Sequence, residues 1–164
     1  MIFFLILDIG NKPPGESHIQ HDLCLNALRK VSTTLTDLHI DFKLTPAPPT
    51  FIEIRATCPN LVKLGYHASY FKWNQAELNS TGTIDRSKLV ELDIGTNKAA
   101  MSILEMNALL QQYPDIKKLS ITSSLTNIFS TLFLTIHQNS NRLRLTEIRM
   151  IITKMTVFQI RYLP

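Results

Sequence analysis

The stretch TCPNLVKLGY, Thr57 to Tyr66, decides how this chain is read. Cys58, Pro59 and Asn60 make a turn-like lead-in, after which apolar side chains fall at Leu61, Leu64 and Tyr66. A strand sends alternate side chains to opposite faces. Leu64 and Tyr66 therefore share one face of a strand, and Leu61 sits one step off, where the chain is still bending in. A single match of this kind carries little weight, so its recurrence is what matters.

The pattern returns along the chain. LVELDIGTN places Leu89, Leu92 and Ile94 in the same three positions, and LTDLHI places Leu35, Leu38 and Ile40 there. YPDIKKLSI repeats the lead-in too: Tyr113 replaces the cysteine, Pro114 keeps the proline, and Ile116, Leu119 and Ile121 follow. Weaker copies lie near the ends, at Phe4, Leu7 and Ile9 and at Leu145, Ile148 and Met150. The copies start at 4, 35, 61, 89, 116 and 145, in steps of 31, 26, 28, 27 and 29 residues. Self-similarity at such a period marks a solenoid, and the motif resembles the leucine-rich repeat, L-x-x-L-x-L-x-x-N/C. The fold class expected is α/β: about six strand–helix repeats, with a parallel sheet on the concave face and helices on the convex face. The domain expected is a single solenoid over 1–164, clearest over 35–124.

Between the strands the spacing turns helical. Leu23, Leu25, Ala27, Leu28 and Val31 precede one strand; Ile103, Leu104, Met106, Leu109 and Leu110 precede another; Ile128, Leu132, Leu134 and Ile136 precede the last. Thr50 and Glu53 read as a capping box opening a short helix that Pro59 stops. Neighbouring parallel strands need such crossovers. One unit cannot bury its leucines alone, so stacking must close the core. The inward set is Leu35, Leu38, Ile40, Leu61, Leu64, Tyr66, Leu89, Leu92, Ile94, Ile116, Leu119 and Ile121. The proline-rich segment 44–50 reads as extended. The polar run Asn79 to Thr83 reads as a surface loop, and nearby Trp73 either packs on the convex side or serves as a binding anchor. The ninth motif position holds asparagine only at Asn97; Ser69, Ser124 and Thr153 can hydrogen-bond in its place, whereas Lys12 and Lys43 put the first turns out of pattern.

The composition restricts function. The 164 residues suit one domain, and 45% are hydrophobic, enough to fill a core. The formal charge is +4, but only 18% of residues are charged and the basic ones are dispersed, so no basic face points to nucleic acid. No run approaches the ~18 apolar residues of a membrane span. MIFFLIL lacks the basic lead of a signal peptide and is cut short by Asp8, so it reads as an inward strand. Asn79-Ser80-Thr81 is a formal glycosylation sequon without a secretory signal. Cys24 and Cys58 lie in unrelated contexts, with no zinc-type spacing. They read as buried thiols in a reducing compartment, cytoplasmic or nuclear.

Functional residues are sought between the inward leucines. The third motif position reads Ile6, Asp37, Lys63, Glu91, Lys118 and Glu147, with alternating sign from Asp37 onward. Strands ~4.8 Å apart make these cross-strand neighbours. They form either a ladder of ion pairs that keeps the face soluble or a recognition surface. The fifth position holds Asp8, His39, Gly65, Asp93, Ser120 and Arg149, and two residues on come Asp41, His67 and Thr122. The candidate partner-binding set is Asp37, His39, Asp41, Lys63, His67, Glu91, Asp93, Lys118, Ser120 and Thr122. On a flat face His39, His67, Asp41 and Asp93 would stand a strand or more apart, so no metal site or other cofactor is expected. The nucleophile-elbow, P-loop and zinc-protease motifs are all absent, and an open strand surface lacks the deep pocket most chemistry needs. The chain reads as a binding protein rather than an enzyme.

The helix followed by CPNLVKL over residues 50–66, with YPDIKKLSI as an altered copy, resembles the repeats of F-box/leucine-rich-repeat proteins, especially divergent fungal ones. That resemblance implies a protein substrate on the concave face. It implies docking to a cullin-based ubiquitin ligase only where an F-box precedes the repeats, and none is visible ahead of the first. Bare apolar ends lead to the expectation of a longer repeat protein. The alternatives are a free-standing, ribonuclease-inhibitor-like regulatory protein and a truncated remnant.

Overall fold

The computed structural model describes residues 2–4, 17–42, 48–68, 88–96, 102–124, 128–139, 143–152 and 155–161. In chain order the elements are β1 (Ile2–Phe4), α1 (Ser17–Val31), β2 (Asp37–Phe42), α2 (Phe51–Thr57), β3 (Lys63–Ala68), β4 (Glu91–Thr96), α3 (Ile103–Gln112), β5 (Lys118–Ser123), α4 (Ile128–Asn139), β6 (Glu147–Ile152) and β7 (Met155–Arg161). The strands form one α/β sheet whose order is the order of the chain. Strands β1 to β6 pair in parallel and β7 folds back antiparallel onto β6.

Each strand from β2 to β6 is six residues long and starts at the third position of the apolar motif. The register is in step across all five: Asp37 pairs with Lys63, Lys63 with Glu91, Glu91 with Lys118 and Lys118 with Glu147. A repeated backbone contact sets it. The carbonyl just before each strand accepts two N–H groups from the next unit. Thr36 O accepts from Val62 and Lys63, Val62 O from Val90 and Glu91, Val90 O from Lys117 and Lys118, and Lys117 O from Thr146 and Glu147. The N-terminal copy departs from this register. Ile2, not Ile6, pairs with Asp37, so β1 sits four residues ahead of the motif's alignment.

All twelve residues of the expected inward set are at most 3% exposed. They make one core with Cys24 and Leu28 of α1, Phe51 and Ile54 of α2, Met106 and Leu109 of α3, and Leu132 and Ile136 of α4. Burial alternates along β2 and β5, so the helices cover one face of the sheet, and among the described residues no element covers the other. Not every apolar residue of the helical stretches points inward. Leu23, Leu104 and Leu134 are exposed, as is Phe133. On α4 the buried residues Leu132, Thr135 and Ile136 follow i, i+3, i+4 spacing, which turns positions 133 and 134 away from the core.

The capping box at Thr50 and Glu53 forms, and a second closes α3 through Ser102 and Glu105. Both satisfy helix N-terminal N–H groups that would otherwise lack partners. Tyr113 and Cys58 occupy equivalent places, each ending a helix with its N–H donating to the carbonyl four residues back. Cys24 and Cys58 are free and buried; burial pushes the Cys24 thiol up to about 11 and raises Cys58, so both stay protonated thiols. The expected loop at 79–83, Trp73, the sequon, most of the segment 44–50, and Lys12, Lys43, Ser69, Asn97 and Thr153 lie outside the described residues. No described helix is long and apolar enough to cross a membrane.

Two outcomes test this architecture. Leu92, at the centre of the sheet, should cost about 2–5 kcal/mol when replaced by Ala, read by urea unfolding. His21 of α1 lies 3.2 Å from Glu53 of α2 and 3.3 Å from Asp22. Burial lowers its pKa, but the two carboxylates outweigh this and hold it above its ordinary value of 6.5. A raised pKa stabilises the fold fully below the unfolded value, and that stabilisation is lost as pH rises through the folded value. The stability difference between the wild type and His21→Gln should therefore shrink from about pH 6 to about pH 8, measured by denaturant unfolding at each pH.

Candidate functional site

The in-step register carries each expected contact residue to a defined place on the open face. The third-position row forms a charge ladder. Lys63 Nζ lies 3.9 Å from Asp37 Oδ1 and 3.5 Å from Glu91 Oε2, and Lys118 Nζ lies 2.9 Å from Glu91 Oε1. Glu91 thus turns one carboxylate oxygen to each lysine. The Lys118 ammonium is raised by its hydrogen bond to Glu91, by the charge of Glu91 and, less, by Glu147. Glu147 pairs with Arg149 of its own strand at 3.5 Å. A shallow depression of about 470 Å³ spans β2 to β6 over this row and the fifth-position row. Asp37, His39, Lys63, Glu91, Asp93, Lys118 and Ser120 line it; Asp41, His67 and Thr122 lie one row further along and do not.

The histidines are closer to Asp93 than a flat face would place them. His39 pairs in register with Gly65, and His67 with Gly95. Each imidazole lies across the glycine of the next strand. A Cβ at Gly65 would fall onto the His39 ring, and one at Gly95 would lie 2.6 Å from His67 Cγ. Freed of a side chain beneath them, the rings lean along the sheet and meet edge to face with centroids 4.7 Å apart. His67 Nε2 then donates to Asp93 Oδ2 at 3.1 Å. Burial pushes the Asp93 carboxyl up, but His67, Ser120 and the nearby His39 favour the anion more strongly, so its pKa is held below 3.8. Among the described residues the other carboxylate oxygen, Oδ1, is buried without a hydrogen-bond partner. One ligand atom each from His39, His67 and Asp93 lie within 4.8 Å of one another.

The separation of His39, His67 and Asp93 expected from sequence is therefore replaced by a cluster, and the glycines are the reason. Their positions opposite the two histidines are visible once the repeats are aligned, but glycine in a strand usually reads as weakness or as a bulge. Asp41 is not part of the cluster. Comparison with family models, with curated proteins and with solved structures returned no match.

The fit of ring to glycine gives a double-mutant cycle. Gly95→Ala should destabilise the protein by about 1–3 kcal/mol through overpacking. In a His67→Ala background the same change should cost little or nothing, because the obstructing ring is gone. Urea unfolding of the four proteins reads the coupling; equal costs in both backgrounds would mean that the ring does not lie on Gly95.

Proposed function

We propose that this chain is a protein–protein interaction module of the leucine-rich-repeat type, holding a protein partner across the open face of its sheet. The observation that carries this reading is the alternating row Asp37, Lys63, Glu91, Lys118 and Glu147, which crosses five strands above a shallow depression. Equal strands in chain order, one apolar pattern and the repeated carbonyl contact support a stacked-repeat solenoid. A broad, polar, structurally regular face suits an extended protein surface better than a small substrate, which needs a deeper pocket. Complementary charge across such a face sets register and excludes wrong partners more than it adds raw affinity.

The more specific reading is that the repeats select the substrate of an F-box-type ubiquitin-ligase adaptor. It rests on the resemblance of the CPNLVKL segment and requires an F-box in the same protein. Co-purification of the ligase scaffold with the full gene product tests it; a gene product with no F-box and no bound scaffold rules it out.

The interaction reading has its own test. Lys63→Glu with Lys118→Glu breaks the ladder, whereas Asp37→Lys, Lys63→Glu, Glu91→Lys and Lys118→Glu together invert its first four members and keep the pairs among them. Affinity capture read by quantitative mass spectrometry should recover a partner with the wild type and lose it with both variants, while circular dichroism shows the inverted protein folded. A partner recovered equally by the inverted ladder would show that this face is not the main contact.

A further inference from the structure

The structure assigns His39, His67 and Asp93 as a binding site for a divalent first-row transition ion of the zinc type, independent of any protein partner. Two imidazoles and a carboxylate are a ligand set that zinc, copper, nickel and ferrous iron accept. The three donors come from adjacent strands, β2, β3 and β4, and their ligand atoms lie within 4.8 Å of one another. Metal–ligand bonds of about 2.0–2.1 Å place neighbouring tetrahedral ligands roughly 3.3 Å apart. His67 Nε2 and Asp93 Oδ2 already stand 3.1 Å apart. His39 brings a ring nitrogen within 4.8 Å of both.

Two further features favour a ligand site over chance packing. Among the described residues Asp93 Oδ1 is buried and has no hydrogen-bond partner, in a carboxylate whose other oxygen meets His67. Buried polar atoms without partners are uncommon, and an ion is one thing that satisfies them. Gly65 and Gly95 lie under the two rings where any other residue would push them off the sheet. Both imidazoles reach toward Asp93 because of that clearance. Among the described residues no further donor joins the three, so the remaining coordination positions would fall to water or to a group brought by another molecule.

The test uses the untagged full chain, freed of metal by chelation, titrated with Zn²⁺ alone by calorimetry and with Co²⁺ alone by visible absorption. One equivalent should bind saturably. His39→Ala and His67→Ala should each weaken binding about tenfold or more, as disturbing a metal site commonly does, while His137→Ala on α4 should leave it unchanged. Imidazole resonances followed during the Zn²⁺ titration of the wild type test the same assignment without requiring any variant to fold. Of the five histidines in the chain, only His39 and His67 should shift. No saturable binding by the wild type would overturn the assignment. So would binding that survives both histidine variants, or resonance changes centred on other histidines.

Discussion

The rest of this structure depends on a register that does not slip. Each carbonyl just ahead of a strand takes two N–H groups from the next unit, at Thr36, Val62, Val90 and Lys117. Spacings of 26 to 29 residues between the copies starting at Leu35, Leu61, Leu89, Ile116 and Leu145 return the chain to the same height each time. A slip of one residue would turn every inward leucine outward. Because no slip occurs, Leu38, Leu64, Leu92, Leu119 and Ile148 stack in one row and Ile40, Tyr66, Ile94, Ile121 and Met150 in another, and the core is continuous across all five strands. Each strand from β2 to β6 therefore has its apolar side chains covered partly by those of its sheet neighbours.

The same register writes the chemistry of the open face. Residues at one motif position become cross-strand neighbours, so alternation in the sequence becomes alternation in space. Glu91 shows the consequence, being shared between Lys63 on one side and Lys118 on the other. Both lysines are about half exposed, and such pairs add little to stability in water. What they do is hold long side chains in a fixed pattern across the face. Net charge says little about such a surface, since opposite signs lie within a few ångströms of one another.

Most of this was legible in the sequence because one physical rule produced it many times. The strand starts, the inward leucines and isoleucines and the ion-pair row follow from a motif with period two inside a longer repeat, and the Thr50 capping box from the separate Thr-x-x-Glu spacing that opens a helix. Where a single copy had to be read by itself, the sequence misled. The N-terminal copy offers Phe4, Leu7 and Ile9, yet the backbone pairs Ile2 with Asp37, because a run of apolar residues supports several registers equally well. On the helices Leu23, Leu104 and Leu134 look inward by type and lie outward by angle; composition alone cannot orient a helix whose apolar residues surround it. The antiparallel turn of β7 onto β6 is likewise invisible to a parallel repeat, although the tail's strand character is plain.

The histidine cluster was hidden for a different reason. Its donors are not in one row: His39 and Asp93 share the fifth motif position on strands separated by β3, and His67 stands two residues further along that intervening strand. Side chains standing straight up from a sheet would keep such a triangle open. What closes it is the absence of two side chains, at Gly65 and Gly95, on which the rings lie. Periodicity finds residues that repeat, whereas this arrangement is made by two residues that break the repeat beside two that exploit the break. A glycine opposite a histidine in an aligned parallel register is therefore a signal of its own. It marks where an imidazole can lie along the sheet and meet a neighbour that ordinary strand spacing would hold away.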